Sequence, residues 1–404
     1  MSGAGRTLFD IDPEPVRRML PPDAPDGSEE DRDLSPLLAR MPAQGSADAV
    51  FDEAITALYT GQEVDWRSLD AALETWRPAL DAIAARVTEL EPGTLRVPQS
   101  FIRRTWRLLD VSQCEAHWQM RHGDRSKPFA ILSTLLSLCR LIERAPAGDA
   151  CLARHHAALI TRSMVLASFR DPRLFHDAPA AALAAGRALL AETEPGLASF
   201  RAALVGESRQ YVATMGAELY QRRGLPFDLS GGRALAIPDS AGERGLWLES
   251  AREQIHELML AAVRHLSDDH ARSLRSLRAL AAKHTPSILG PERPGSRLWE
   301  RLSTLARTQA FVNESLHECG LLLAHAHRIW VHNLQGHHIF SGMIVLEELR
   351  QRRGAYPASL TLAQLCSGHA FADPLTGGAL RYVPEPAGYR LEIAPDSAAL
   401  LSGK

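Results

Sequence analysis

The chain is predicted to be mainly α-helical: a multi-helix bundle or short helical-repeat domain, then a long helix and a small C-terminal β-hairpin. Three observations predict this. Apolar residues recur at the three- and four-residue spacing of amphipathic helices through most of residues 46–354. Segments rich in Pro and Gly punctuate those stretches. Period-two alternation appears only near the end, in Leu380/Tyr382 and in Tyr389/Leu391/Ile393.

The 404 residues suffice for a large core. They divide into a Pro-rich acidic tail (1–45), a helical domain (46–224), a loop with a helical hairpin continuing it (225–294), and a long helix with its C-terminal module (295–404). A formal charge of −3, from 45 Lys+Arg against 48 Asp+Glu, implies no wholesale attraction to nucleic acid or membrane. The five cysteines, Cys114, Cys139, Cys151, Cys319 and Cys366, form no Cys-x-x-Cys and read as reduced thiols. No run reaches the roughly 18 apolar residues of a transmembrane span. The opening residues lack a basic-then-apolar signal pattern. A cytoplasmic location is therefore expected, with envelope association as the alternative.

Taken in order, helices are expected over Ala47–Tyr59, Asp70–Glu89 with Pro78 bending it, and Gln99–Arg121. Lys127–Arg144 and Asp149–Arg170 are expected to form a hairpin about Ala145-Pro146-Ala147-Gly148. The stretch from Pro179 to Ala191 follows, then Leu197–Arg222. A loop region over 224–245 precedes Leu246–Leu266 and Asp268–Lys283, with Ser267 as a cap between them. After a linker from Pro286 to Pro294, a helical run extends from Ser296 to about Gly354. Asn333 and Gly336 mark a possible kink in it. Gly354 suits a helix terminus, because Gly accepts the left-handed conformation there. The hairpin is expected from Ala379–Val383 and Tyr389–Ile393, joined by a five-residue loop from Pro384 to Gly388.

Two patterns bear on chemistry. Glu-x-x-His-Glu occurs twice, at Glu253/His256/Glu257 and Glu314/His317/Glu318. Glu-x-x-His on two bundle helices supplies half the ligands of a di-metal carboxylate site, with Glu207 and Glu218 as candidates for the rest. At about 100° per residue, however, these carboxylates point away from the apolar seams, and bundle ligands must project inward. Solvated faces are the first expectation. A site for iron, manganese or zinc at Glu253, His256, Glu314 and His317 is the alternative. The other pattern is a cluster, His325, His327, His332, His337 and His338, expected to form a polar outer face. Arg272, Arg275 and Arg278 line one stripe, but Asp268 and Asp269 offset them, so no nucleic-acid contact is expected. Gly-x-Ser-x-Gly and a Gly-rich phosphate loop after a strand are both lacking.

Tyr356-Pro357-Ala358-Ser359-Leu360, Asp373-Pro374-Leu375-Thr376-Gly377-Gly378 and Gly388-Tyr389, following a long helix, resemble the C-terminal half of type II secretion pseudopilins over about residues 340–396. The resemblance implies a helix leading into a small α+β cap. It does not carry over calcium binding, since the acidic loop is reduced to Asp396, nor filament assembly. More diffusely, residues 48–396 are similar to uncharacterised bacterial helical proteins with the same kind of tail, many of them membrane-anchored. The Leu-Ser-x-Leu-Leu-Ser-Leu helix, Gly148-Asp149, Asp171-Pro172-Arg173-Leu174 and 200–207 carry that similarity.

The sequence thus reads as a non-catalytic structural or protein-interaction protein. It would act without a cofactor, with a protein partner or a second copy of itself. The alternative is a metal-binding bundle or metalloenzyme.

Overall fold

A computed structural model describes residues 41–42, 46–90, 99–143, 152–169, 174–176, 178–206, 240–283, 304–385 and 388–402. The expected tail, the hairpin turn at 145–148, Glu207, Glu218, most of the 224–245 loop and the Pro286–Pro294 linker lie outside the described residues.

The first half runs α1 (Ser46–Thr60), α2 (Trp66–Glu89), α3 (Gln99–Arg121), α4 (Lys127–Glu143), α5 (Leu152–Ser168), α6 (Ala180–Thr193) and α7 (197–206). The second runs α8 (Ala241–His265), α9 (His270–Lys283), α10 (Thr304–Arg353), α11 (Leu360–Ser367), β1 (Arg381–Glu385), β2 (Gly388–Glu392) and α12 (Pro395–Ser402). Among the described residues the fold is mainly α with one small antiparallel hairpin.

Local chemistry sets the helix starts. α2 begins four residues before the expected Asp70, because the Asp65 carboxylate accepts the N–H groups of Arg67 and Ser68, both at 3.2 Å. It continues through Pro78. Helix α8 begins inside the expected loop, where Ser240 Oγ accepts the Glu243 N–H at 3.4 Å. Ser240-x-x-Glu243 is a capping-box signature. Before α9 the cap is Asp269 rather than Ser267, its carboxylate accepting the Arg272 N–H at 2.9 Å. Ser267 instead accepts and donates within a pair with Ser273.

The 50-residue α10 runs without interruption through Asn333 and Gly336, about 75 Å at 1.5 Å per residue. Asn333 does not break it, because its side-chain amide donates to Ile329 O one turn back and to Ser163 Oγ across the interface. α5 and α6 from the first half and α8 and α9 from the second all pack on α10. Buried residues from Phe51 through Trp247 and Trp330 to Leu401 form one continuous core. At its end Gly354 takes φ +78°, and its N–H returns to Arg350 O at 2.7 Å.

In the hairpin, Arg381 pairs with Glu392 and Glu385 with Gly388, so pairing continues through Pro384 opposite Tyr389. The connection is residues 386–387, shorter than the expected five. Both strands of a two-stranded sheet are edges, and there a proline without an N–H is tolerated. The expected face is buried: Tyr389, Leu391 and Ile393 turn inward. Arg381, Arg390, Glu385 and Glu392 pair across the other side at 3.2–3.5 Å.

Candidate functional site

The C-terminal module is fixed to α10 by two buried carboxylates. Glu347, fully buried, accepts the phenol of Tyr356 and the Nε–H of Arg350, the latter at 2.9 Å. Burial, and then the Glu347 charge, raise the Tyr356 phenol well above its ordinary value, so it stays a neutral donor. Tyr389 meets the Tyr356 ring edge-on at 4.9 Å and donates its own hydroxyl to Met343 O at 3.1 Å.

The second carboxylate is Asp373, in the Asp-Pro turn. It accepts the N–H groups of Leu375 and Ala394 and the amide of Gln335 on α10, at 2.9–3.2 Å. One side chain thereby holds the turn, the segment after β2 and the long helix. From the opposite end, Arg278 of α9 donates to Leu400 O at 2.9 Å and Leu401 O at 3.0 Å, satisfying the last carbonyls of α12. That is what the third arginine of the α9 stripe does; Arg272 and Arg275 are exposed.

On this base α11 stands out. Ser359 caps it by accepting the Leu362 N–H, and Gly368 closes it. Within it only Ala363 is buried. Leu362 is 39% exposed and Leu365 80%, three residues apart and so on neighbouring turns of one face.

A polar layer also lies within the bundle. Arg162 of α5 meets Glu143 of α4 at 2.6 Å, both buried, and Ser199 Oγ donates to Glu143 at 3.0 Å. Burial opposes the Glu143 charge, but Arg162 and His155 outweigh it and hold the carboxyl below its usual range. Burial lowers His155 and His337 to about 4 and His327 to about 3, so all three are neutral imidazoles at neutral pH. His337 Nε2–H donates to Leu190 O at 2.5 Å. His327 lies beside Phe200 and Trp330, which stack at 5.9 Å. Among the described residues, Arg162 Nε and Nη1, His155 Nε2 and both ring nitrogens of His327 have no hydrogen-bond partner.

The histidine cluster therefore departs from the expected outer face. His325 is exposed, His332 and His338 are half-buried, and His327 and His337 are in the core. Helices pack on several sides of α10, so a residue off its main apolar seam still meets a neighbour. Of the candidate metal ligands, Glu253 and His256 are exposed on α8 and His317 is half-buried on α10. Glu314 belongs to α10, but its side chain lies outside the described residues. No group of three or more His, Cys, Asp or Glu poised for a metal occurs among the described residues. Nor does a helix long and apolar enough to cross a membrane. Sequence reasoning missed Glu143–Arg162 and Gln335–Asp373; their partners stand 19 and 38 residues apart, and no local motif marks them.

Comparison with protein-family models, with curated proteins and with solved structures finds no match for this chain.

Proposed function

We propose that the chain is a non-catalytic structural or protein-interaction protein, and that the C-terminal module presents its contact surface. The observation that carries this reading is the Leu362–Leu365 face. A helix whose own packing buries only Ala363 leaves two leucines in water on a module tied down by Glu347 and Asp373. Rigid exposed apolar surface suits docking, because little ordering entropy is lost on contact. The buried carboxylates support the same reading. Glu143, Glu347 and Asp373 are each engaged in joining one helix or segment to another. The resemblance of residues 340–396 to a pseudopilin C-terminal half points the same way. The partner is another protein, and a reducing, cytoplasmic setting accords with the free thiols of Cys114, Cys139 and Cys366.

The test is site-specific photo-crosslinking in cells from a benzoylphenylalanine at position 365, with position 253 on the exposed face of α8 as control. A discrete protein adduct from 365, absent from 253 and lost with Leu362→Glu, is expected. Equal labelling from both positions, or none from 365, sinks the reading. Leu362→Glu and Leu365→Glu should each leave stability within about 0.5 kcal/mol of wild type, as surface changes do.

A further inference from the structure

Helices α2, α3 and α4 enclose a half-open cleft of about 150 Å³. Its two ends differ in chemistry. The floor at one end is Leu80, Ile83, Leu108, Ile131 and Leu135. The other end is formed by Arg77, Glu115, Gln119 and Lys127. Helix register accounts for the separation. The Arg77–Glu115 contact aligns α2 with the latter part of α3, and Lys127 opens α4 just after the turn that ends α3.

Which polar groups remain available at that end decides the ligand. Glu115 is buried and spent: Arg77 Nε–H reaches both its oxygens, at 3.3 and 3.1 Å, and the Gln119 amide donates to Oε1 at 2.5 Å. Arg77 Nη2 donates to Asp70 at 3.0 Å, and the guanidinium lies over the Trp118 ring at 4.3 Å. The arginine is thus clamped in orientation, and Nη1 takes part in none of these hydrogen bonds. Lys127 enters no ion pair among the described residues. The groups at that end left out of these hydrogen bonds are donors: Nη1 of the clamped guanidinium and the exposed Lys127 ammonium. Asp81 also lines the cleft and, like Lys127, is exposed to solvent.

We propose that this cleft binds a small monocarboxylate. Its carboxylate is held by Lys127 and Arg77, and its aliphatic or aryl body lies on the Leu80–Leu108–Leu135 floor. The size limits the body to roughly six carbons, since an apolar cavity of roughly 150 Å³ in another protein takes benzene. This site is separate from the α11 surface and does not depend on the interaction reading.

The test is calorimetric titration of the full-length protein with hexanoate, 4-methylpentanoate and phenylacetate, beside hexanamide and hexylamine. At least one carboxylate should saturate the protein, with the amide and amine weaker by roughly tenfold or more. Lys127→Met, at an exposed position, should weaken the carboxylate by a similar factor and leave the melting temperature unchanged. Ala130→Trp, also exposed on the lining, should fill the cleft and abolish binding, with folding checked by circular dichroism. Any of three results overturns the proposal: no carboxylate saturating by about 10 mM, preference for hexylamine, or undiminished binding in Ala130→Trp.

Discussion

The C-terminal module and the bundle interior both bury carboxylates, but they treat them differently. In the module, Glu347 and Asp373 are surrounded by donors, and no buried side-chain polar atom of the described residues in 354–402 lacks a partner; on the α10 side of this anchor a single oxygen, Gln335 Oε1, is unpartnered. In the bundle, Glu143 is paired, yet its partner Arg162 keeps two unpartnered nitrogens and neighbouring histidines keep more. An answered polar network adds rigidity at little cost, whereas a partly answered one draws against stability. The module is therefore the anchored platform, and the bundle interior is where the fold is most easily upset.

The largest effect should come from Glu143→Ala. It strands Arg162 in the core and should cost about 3–5 kcal/mol in chemical denaturation. The Glu143→Leu, Arg162→Leu double variant should regain much of that loss, because no uncompensated charge remains. If the double variant is as unstable as the single one, packing rather than charge dominates this layer.

Acid should separate the regions next. The folded-state values of His155, His327 and His337 lie below the ordinary 6.5. The unfolded chain then binds more protons, and stability rises with pH across that window. Their contribution is complete above about pH 6.5 and is lost as pH falls through about 4 for His155 and His337 and about 3 for His327. Each histidine adds about 1.4 kcal/mol per pH unit to the slope. Glu143 and Arg162 face His155, His270 and Arg278 face His327, and Arg162, Glu194 and His338 face His337. Urea midpoints measured from pH 7 to 4 should therefore drop steeply, and His337→Gln should flatten the drop. A pH-independent midpoint contradicts the buried neutral layer.

A pair of glycine substitutions sharpens the contrast in packing. A Cβ at Gly320 meets the Ala281 backbone at 2.9 Å, where α9 presses on α10. At Gly342 it meets the Phe371 and Leu391 side chains at 3.1–3.2 Å. Backbone cannot give as a ring can, so Gly320→Ala should cost about 2–3 kcal/mol and Gly342→Ala less, read as the shift in denaturation midpoint. The reverse order would make the module, not the bundle, the tighter packing.

Tyr356→Phe removes one donor from buried Glu347 and leaves Arg350 in place. A loss of about 1–2 kcal/mol is expected. In a Glu347→Gln background the same change should cost less, and additivity would show that the two do not act as a unit.

Much of the architecture was legible in residue order. α3 was expected at its observed limits, and α1 and α4 were expected to within one residue. The hairpin's buried face followed from Tyr389, Leu391 and Ile393, and the end of α10 from Gly354. These are local matters: the period of apolar residues, the φ that glycine tolerates, and the side chains that cap a helix start. The Ser240-x-x-Glu243 cap that starts α8 is equally local. Burial of polar groups was not local. His325 and His327 stand two residues apart, one in water and one in the core, because helices cover α10 on more than the seam its apolar spacing reveals. The donors left free in the α2–α3–α4 cleft likewise became visible only once Glu115 and Asp70 were seen to occupy Arg77. A sequence determines where a chain can be helical and which face is greasy. Which charges meet, and which are left without a partner, is a property of pairs of segments, and only the assembled helices decide it.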